Sequence, residues 1–376
     1  MNIALYLRHF PASGTPIFGG SVTAIHGLAS GLAENGAAVT VLCEGEQRTS
    51  VMTEAGYQVE CFPKVRRTFG LHPEFTRYLR EQLPPHDTVA VVNGIFSPGV
   101  YAVAQTLAQC RVPYVAAPHE SYDASMFRKN PHLKLPYWWL FERRLLKGAA
   151  AVQVLDPRHA MHLGKFGIHK PAFDVSNGFG TQAVPPVSAL QWRDSGPARM
   201  LFFGRINAFH KGLDILLDAF ERVSASHAVR LTIQGPDWGD RARLEQRAGQ
   251  GPLAGKVEFL DPDYEHSGPE VIAGYDIFCM PSRREGFGMS ALEAMLAARV
   301  LLVSRAAGIA PHVEASGCGV LVDADVSAVT NGLVALLEDR AQWRERGLAG
   351  RAYALAALQW KAIAARALEQ YEALAA

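Results

Sequence analysis

The feature that most constrains the fold of this chain is the alternation of short apolar runs with stretches of helical periodicity. The pattern predicts a strand at residues 2–8, a helix at 21–34 that ends at Asn35-Gly36, and a strand at 38–43. It also predicts a helix at 211–224 and further strands at 89–93, 114–117, 150–155, 199–203, 229–233, 256–260, 275–280, 299–303 and 319–322. Such alternation is typical of a doubly wound α/β fold with parallel sheets.

A run of loop-forming residues divides the chain near its middle. The segment 176–198 is rich in turn-forming residues, and a length of 376 residues suits two domains. We therefore expect an N-terminal domain at 1–180, a linker at 181–198, a C-terminal domain at 199–355, and a terminal helix at 356–376 that packs back toward the N-terminal domain. Ligands of such sheets bind beyond the carboxyl ends of the strands, so we expect the site in a central cleft between the domains.

Composition argues against several classes of protein. The net charge of +1 gives no electrostatic basis for nucleic-acid binding. The five cysteines are scattered, odd in number and without a Cys-x-x-Cys pair, which is typical of reduced thiols in a cytoplasmic protein. We expect no signal peptide at Met1–Arg8 and no membrane span, because no apolar run reaches about 18 residues.

One stretch leaves peripheral membrane contact open. Residues 134–147 mix aromatic side chains with lysines and arginines. The pattern favours an amphipathic helix that packs on its own domain. A helix that lies on the inner face of a membrane is the alternative.

The segment 285–293 is the most informative for function, and it reads Glu-Gly-Phe-Gly-Met-Ser-Ala-Leu-Glu. It follows the strand predicted at 275–280, so its glycines form a loop and Glu293 lies in the next helix. The N-terminus of that helix suits a phosphate, and the two glutamates suit ligand hydroxyls. The segment favours a nucleotide sugar as ligand, although a pair of glutamates at this spacing also occurs in ordinary solvated helices.

Two cations follow the first strand predicted in the C-terminal half. Arg205 ends that strand region within Gly204-Arg205, and Lys211 begins the next helix. A guanidinium fork and a mobile ammonium group both suit a diphosphate. Cations in strand–helix loops are also often simply solvated, so the pair alone leaves both interpretations open.

The N-terminal half offers weaker signals. Gly19 and Gly20 precede the first helix, where backbone can approach a ligand closely, but the loop could also be an ordinary turn. His119 follows the strand at 114–117, a position that suits either a ligand contact or a structural histidine. No histidine pair has the spacing and acidic surroundings of a metal site, so we expect no metal.

Taken together, these segments resemble the family-4 retaining glycosyltransferases (glycosyl transferases group 1) of the GT-B fold. The motifs that carry the resemblance are Gly204-Arg205, Lys211-Gly-Leu-Asp-Ile-Leu216, Pro281-Ser-Arg-Arg-Glu-Gly-Phe-Gly288 and Glu293-Ala-Met295, and Gly19-Gly20, Asn177-Gly178 and the helix from Trp360 to Tyr371 agree with them. The resemblance implies two Rossmann-like domains and a retaining, metal-independent transfer of a hexose from a UDP- or GDP-linked sugar. The acceptor would be a hydroxyl of a glycan, glycolipid or lipid-linked molecule, in surface polysaccharide or glycoconjugate assembly. The donor is a substrate, so no cofactor is implied.

The resemblance also implies roles for individual residues. Arg205 and Lys211 would hold the diphosphate, Glu285 the sugar and Glu293 the ribose. No nucleophile is implied, because the acceptor would attack on the face from which the leaving group departs, and the leaving phosphate would take its proton. The implied catalytic centre comprises Arg205, Lys211, Glu285 and His119, and the implied donor contacts are Gly19, Gly20, Gly286, Phe287, Gly288, Met289 and Glu293.

Two departures from the family pattern stand out. The spacing from Arg205 to Lys211 is one residue longer than in many relatives, which predicts a slight shift of Lys211. After Glu293, the segment Leu296-Ala-Ala-Arg-Val300 replaces a frequent Gly-x-Pro-Val turn.

Two other functions stay open at this point. One is a UDP-sugar 2-epimerase-like enzyme on the same fold, to which the combination of Arg205, Lys211 and the two glutamates is poorly suited. The other is a non-catalytic module that binds a nucleotide sugar, against which the intact set of charged residues argues.

Overall fold

Each half of the chain builds its own sheet. The computed structural model describes residues 1–11, 20–119, 122, 124–127, 130–180 and 184–375. Contacts divide the chain into two units, of which the first comprises Met1–Phe179 with Trp360–Ala376 and the second Gly180–Gln359.

The first unit holds an eight-stranded sheet in the order β3-β4-β2-β1-β5-β6-β7-β8. Every neighbouring pair is parallel except β3 and β4, which are antiparallel. The strands are β1 (Asn2–Tyr6), β2 (Ala38–Gly45), β3 (Thr49–Met52), β4 (Gln58–Pro63), β5 (Thr88–Asn93), β6 (Tyr114–Ala117), β7 (Ala151–Val154) and β8 (Ala172–Asp174). The predicted strands are confirmed with small shifts at their ends, whereas β3, β4 and β8 were not predicted.

The central strands of this sheet are apolar throughout because both of their faces are buried. Along β1, Ile3 and Leu5 pack into one core cluster, while Ala4 and Tyr6 pack into another on the opposite face. Parallel strands covered on both faces show such continuous apolar runs rather than alternation.

Helices cover the two faces of the first sheet. They are α1 (Gly20–Glu34), α2 (Pro73–Glu81), α3 (Pro98–Gln109), α4 (Pro131–Tyr137), α5 (Arg143–Gly148), α6 (Pro157–Lys165) and the terminal α15 (Trp360–Ala375). A π-helical turn at Trp138–Glu142 joins α4 to α5. The amphipathic helix predicted at 134–147 is confirmed as a helical segment that packs on its own unit, since Trp138, Leu145 and Leu146 are buried.

The terminal helix α15 packs against α1 within the first unit. The approach is close: a Cβ atom added at Gly27 would lie 2.1 Å from Nε1 of Trp360, and one added at Gly31 would lie 2.6 Å from the carbonyl oxygen of Trp360. Asn35 adds a hydrogen bond of 3.0 Å from its side chain to the carbonyl of Lys361. Gly27 and Gly31, one helical turn apart, thus allow α15 to pack closely against α1.

The second unit holds a fully parallel sheet in the order β11-β10-β9-β12-β13-β14. Its strands are β9 (Ala198–Phe203), β10 (Val229–Gln234), β11 (Val257–Leu260), β12 (Ile277–Met280), β13 (Val300–Ser304) and β14 (Gly319–Val322). All six were predicted. The order reverses direction between β9 and β12, which is the topological switch point of a doubly wound sheet.

The helices of the second unit flank its sheet. They are α7 (Ala208–Lys211), α8 (Leu213–Val223), α9 (Arg241–Ala248), α10 (Gly268–Ala273), α11 (Met289–Leu296), α12 (Ala310–Ser316), α13 (Val326–Glu338) and α14 (Trp343–Ala357). The single helix predicted at 211–224 is wrong in one respect, because Gly212 breaks it into α7 and α8 with a left-handed φ of 67°. None of the described helices combines the length and apolar character that crossing a bilayer requires.

The contact between α1 and α15 generates a stability prediction. In Gly31→Val, the added side chain meets the backbone of α15, so the helices must separate, and we expect the free energy of unfolding to fall by about 2–3 kcal/mol. Urea denaturation followed by circular dichroism measures the change. Gly180→Val is the control, because a Cβ atom there meets no atom of the described residues within 4 Å. Equal denaturation midpoints for the two variants would show that the close approach is unimportant.

Candidate active site

The carboxyl ends of β9 and β12 bring together the polar residues predicted for the second unit. Because all strands of this sheet are parallel, the loops that follow them leave from the same edge. Arg205 follows β9, Glu285 follows β12, and α11 begins four residues after Glu285. Loops on either side of a switch point diverge, which leaves room for a ligand.

Lys211 and Glu285 form a direct ion pair at this edge. The Lys211 ammonium lies 2.5 Å from Oε2 of Glu285, and each side chain is 15% exposed. The buried Ser282 hydroxyl lies 3.4 Å from the same carboxylate oxygen. The pair is therefore sheltered from water, where the attraction between opposite charges is stronger than at an open surface.

Gly212 is what allows Lys211 to reach Glu285. A Cβ atom at residue 212 would lie only 2.2 Å from the carbonyl oxygen of Pro281, directly after β12, and the left-handed φ of 67° also favours glycine. The segment between Arg205 and Lys211, which is one residue longer than in many relatives, forms the short helix α7. At its start, Oδ1 of Asn207 accepts a hydrogen bond of 2.9 Å from the amide of His210. The longer spacing therefore does not separate Lys211 from the site.

Arg205 is exposed and lies over an aromatic ring. Its guanidinium carbon is 4.4 Å from the ring centre of Trp238, a half-exposed side chain in the loop after β10. Stacking of this kind holds the guanidinium plane while its N–H edge stays available to an anion. Among the described residues, no ion pair joins Arg205 to Glu285 or Glu293.

Glu293 lies in the second turn of α11 in surroundings unlike those of Glu285. A Cβ atom at Gly268, the first residue of α10, would lie 2.5 Å from its carboxyl carbon, so the glycine makes space for the carboxyl group. Within the described part of the chain, no protein group donates a hydrogen bond to it. Desolvation by burial raises the pKa of Glu293 to about 7.

The segment from Gly286 to Met289 is held by the loop that follows β13. The amide of Ile309 donates a hydrogen bond of 2.8 Å to the carbonyl of Phe287, and a Cβ atom at Gly308 would lie 2.3 Å from the carbonyl oxygen of Gly286. Phe287 is buried, and Gly288 is the N-cap of α11. The amides of the first turn of α11 therefore lie at the same edge as Lys211 and Glu285, where they suit an anion.

His119 lies in the first unit, two residues after β6, with a left-handed φ of 59°. Its Nε2 is 2.7 Å from Oδ1 of Asn93, whose amide nitrogen donates to the carbonyls of Tyr6 and Val91. Oδ1 therefore accepts, Nε2 carries the proton, and Nδ1 is left as an acceptor. Burial lowers the pKa of His119 to about 4, so the ring is neutral near pH 7.

Of the two glycines predicted to contact the donor from the N-terminal half, the structure describes one. Gly19 lies outside the described residues. Gly20 begins α1, and a Cβ atom there would meet no atom of the described residues within 4 Å. The described neighbours of Gly20 thus give no packing reason for glycine at this position.

The sequence analysis did not predict a site role for four residues that contact the predicted site residues. They are Asn93, Trp238, Gly268 and Ser282, which contact His119, Arg205, Glu293 and Glu285 respectively. Asn93 and Ser282 carried a usable signal, because each is a polar residue at the carboxyl end of an apolar run. In the part of the chain that the structure describes, no three His, Cys, Asp or Glu residues group together as metal ligands.

The fold and this edge of the second sheet define a GT-B glycosyltransferase architecture. The structure of sucrose-phosphate synthase from Thermosynechococcus elongatus superimposes with a TM-score of 0.76, at 19% sequence identity, over 99% of this chain and 98% of that one. Two Rossmann-like parallel-sheet units are common to both.

Sequence comparison identifies the family. Residues 197–339 match the family described as Glycosyl transferases group 1, and residues 19–178 match the Glycosyl transferase 4-like domain. The chain belongs to the group 1 glycosyltransferases.

Curated relatives agree with this assignment. The phosphatidyl-myo-inositol mannosyltransferase of Mycobacterium tuberculosis is 26% identical over 241 residues, which are 59% of this chain and 62% of that protein. The D-inositol 3-phosphate glycosyltransferase of Nocardia farcinica is 30% identical over 186 residues, which are 47% of this chain and 41% of that protein. The matched region thus spans less than two thirds of each relative.

The environment of Glu293 generates a pH-dependent stability prediction. A carboxyl group whose pKa is about 7 in the folded protein and 4.5 in the unfolded chain destabilises the fold progressively as pH rises from 4.5 to 7. We expect Glu293→Gln to be more stable than the parent by about 2 kcal/mol at pH 8, after allowance for residual exposure, and equal to it at pH 4.5.

Thermal unfolding at both pH values measures the effect. Glu258→Gln, at an exposed glutamate of β11, is the control and should show no pH-dependent gain. A constant difference between Glu293→Gln and the parent from pH 4.5 to 8 would contradict the assigned desolvation.

Proposed function

We propose that the protein transfers a hexose from a UDP- or GDP-linked sugar to a hydroxyl of a glycan, glycolipid or lipid-linked acceptor. The observation that carries the proposal is the sheltered Lys211–Glu285 pair beside the N-terminus of α11, at the switch point of the second sheet. This arrangement offers a cation and backbone amides to a diphosphate, and a carboxylate to sugar hydroxyls.

The proposed chemistry depends on charge at the leaving group. When the bond between the sugar C1 and the diphosphate oxygen breaks, negative charge accumulates on the diphosphate. Arg205, Lys211 and the first-turn amides of α11 are suited to stabilise that charge. A diphosphate that draws Lys211 toward itself also releases Glu285, whose carboxylate can then accept hydrogen bonds from the sugar.

The remaining site residues receive narrower roles. Glu293 is proposed to accept hydrogen bonds from the two ribose hydroxyls, which suit a carboxylate without a protein donor. Amides of Gly286 to Met289 are proposed to contact the sugar and the phosphate. In the first unit, neutral His119 is proposed to accept a hydrogen bond from a substrate hydroxyl through Nδ1, and Gly19 and Gly20 are proposed to let backbone approach the donor.

Retention of configuration at C1 forms part of the proposal. The acceptor oxygen forms its bond to C1 on the face from which the diphosphate leaves, and the acceptor proton passes to a leaving phosphate oxygen. This route requires neither a protein nucleophile nor a metal ion. It agrees with the roles of Arg205 and Lys211, which supply the positive charge at the leaving group.

The acceptor is proposed from the relatives and from one surface. The mycobacterial relative is named for a phosphatidyl-myo-inositol acceptor, which supports a glycolipid or lipid-linked acceptor and surface glycoconjugate assembly. The exposed apolar side chains Leu133, Trp139 and Leu140 lie in a helical segment that also exposes Arg144 and Lys147. A surface of this kind supports peripheral contact with an anionic membrane.

A panel of nucleotide sugars tests the proposal. Binding is followed by thermal shift, since a bound donor raises apparent stability by mass action, and turnover by release of nucleoside diphosphate with a lipid-linked glycan acceptor. We expect one UDP- or GDP-sugar to bind and to be consumed, with retained anomeric configuration in the product. An epimerised nucleotide sugar formed without acceptor, or binding without turnover, would reject glycosyl transfer.

Loss of Arg205 should remove most of the turnover. We expect Arg205→Ala to reduce kcat by 10²-fold or more, on the scale of losing one group that stabilises developing charge. Steady-state kinetics with the donor found in the panel measures the effect. Arg222→Ala, at an exposed arginine of α8, should retain the parent rate. A near-parental kcat for Arg205→Ala would remove Arg205 from the diphosphate site.

Chelation should leave the activity unchanged. Because side-chain cations and helix amides are proposed to stabilise the leaving group, we expect EDTA treatment followed by gel filtration to preserve kcat. Restoration of a lost activity by Mg²⁺ or Mn²⁺ would show instead that a divalent ion shares that role.

A further inference from the structure

A second cavity lies at the opposite edge of the second sheet, at the amino ends of its strands. It has a volume of about 420 Å³. Asp276 and Arg299, which line it, immediately precede β12 and β13, whereas Arg205, Lys211 and Glu285 follow the carboxyl ends of β9 and β12. The length of the strands therefore separates this cavity from the donor site.

Arginines dominate the charge of this cavity. Four arginines line it, Arg193, Arg299, Arg340 and Arg344, against two carboxylates, those of Asp194 and Asp276. Asp276 is already engaged, because its Oδ2 accepts hydrogen bonds of 2.6 Å from Arg193 and 2.8 Å from the amide of Arg199. Positive charge therefore exceeds negative charge in the cavity wall.

The arginines that bond to protein here bond mostly to uncharged groups. Arg299 donates to the carbonyls of Gln191 and Tyr275 at 2.8 and 3.2 Å, and Arg340 donates to the carbonyls of Gly196 and Ser195 at 2.7 and 3.0 Å. These hydrogen bonds fasten the segment before β9 to the unit. Neither Arg299 nor Arg340 forms a direct ion pair with a carboxylate among the described residues.

Several residues that line the cavity carry buried donors without a protein acceptor. Arg299 is only 2% exposed, yet its Nη2 has no hydrogen-bond partner in the described part of the chain, and the same holds for Nε of Arg193, Nε of Arg340 and Nε1 of Trp192. A buried donor left unpaired costs about 1–3 kcal/mol. The four residues that carry these donors all line the cavity and offer it N–H groups, so its lining favours a ligand that consists mainly of acceptors.

The pKa of Arg299 agrees with this geometry. Burial is the largest cause that lowers the pKa of Arg299 to about 10, and it also lowers the pKa of Arg199, whereas the charge of Asp276 raises the pKa of both groups. Both groups stay cationic at neutral pH, and Asp276 offsets only part of their desolvation. An anion would offset more of it.

The cavity is also pre-arranged. The guanidinium groups of Arg299 and Arg344 lie 5.2 and 5.3 Å from the ring centre of Trp192, and that of Arg340 lies 5.0 Å from the ring centre of Trp343. Aromatic contacts restrict the arginine side chains before any ligand binds, which reduces the entropy lost on binding.

We propose that this cavity is a second ligand site of the protein, which binds a soluble small molecule that carries a phosphoryl group. Guanidinium forks match the oxygens of a phosphoryl group, and a cavity of this size holds a molecule of the dimensions of a phosphorylated sugar. The site lies outside the donor site and does not depend on the proposed glycosyl transfer.

Inorganic pyrophosphate is the probe for the test. Because pyrophosphate can also occupy the donor site, the titration uses the full-length Arg205→Ala/Lys211→Ala chain, in which the diphosphate cations of that site are removed. We expect a saturable rise in Tm, absent with sodium chloride at the same ionic strength. Isothermal titration calorimetry on the same chain gives the affinity.

Arg344→Gln is the decisive variant. Arg344 is exposed, and its guanidinium carbon lies 5.3 Å from the ring centre of Trp192, so the substitution should leave the fold intact. In the donor-site-deficient chain, we expect Arg344→Gln to weaken pyrophosphate binding about tenfold, and Ala341→Asp, which adds a carboxylate to the wall, to abolish it. Arg222→Gln, which changes an exposed arginine of the same unit outside the cavity, should bind like its parent.

Three results would overturn the proposal. The first is a saturable rise in the wild-type chain that disappears in Arg205→Ala/Lys211→Ala, since all binding would then belong to the donor site. The second is equal affinity in Arg344→Gln and Arg222→Gln. The third is no response to millimolar pyrophosphate in any chain. None of these readouts measures transfer of a sugar, so they stand apart from any failure of the proposed function.

Discussion

The contact on which the candidate site depends is the approach of Gly212 to the carbonyl oxygen of Pro281. It brings the loop after β9 against the end of β12, and it thereby joins Lys211 to Glu285 across the switch point of the sheet. A side chain at position 212 would force these loops apart. The cation for the leaving group and the carboxylate for the sugar would then lose their common position, so the chemistry of the site depends on a backbone contact that has no charge of its own.

The two glutamates show how one segment can hold two different carboxyl groups. Glu285 has a cation at 2.5 Å and a hydroxyl beside it. Glu293, one helical turn into α11, is desolvated without a partner, which favours the neutral form. A carboxylate already paired is suited to exchange partners when a diphosphate arrives. A carboxylate without protein donors is suited to accept hydrogen bonds from the hydroxyls of a ligand. This difference supports the separate roles proposed for Glu285 at the sugar and Glu293 at the ribose.

The sequence predicted the central strands well because both faces of those strands are buried, so each appears as a continuous apolar run. It missed β3 because that edge strand is partly exposed and carries polar residues, as Thr49 and Ser50 illustrate. The site residues were predicted one by one from their loops. Their pairing was not, since Lys211 and Glu285 are 74 positions apart and meet only because of a glycine contact. The partners Trp238 and Gly268 come from neighbouring loops and helices that a linear pattern does not relate to the site.

The second cavity was also beyond prediction, because its arginines come from separate parts of the chain and face one another only once the sheet has formed. In the sequence, Arg299 stands in Ala-Ala-Arg-Val, where the family pattern often has Gly-x-Pro-Val. In the structure, that arginine is buried at the amino end of β13, under the segment that precedes β9.

Although the net charge of the chain is only +1, the two edges of the second sheet differ in how their positive charges are paired. At the carboxyl edge of the sheet, Lys211 has a counter-ion within the protein, so a diphosphate must exchange with Glu285 in order to bind. At the amino edge, Arg299 and Arg344 form no ion pair among the described residues, and Asp276 offsets only part of the desolvation of Arg299, so an anion would bind there without displacing a paired carboxylate. The two edges of one sheet therefore place different electrostatic requirements on a ligand, and a ligand that meets the requirement at one edge does not necessarily meet that at the other.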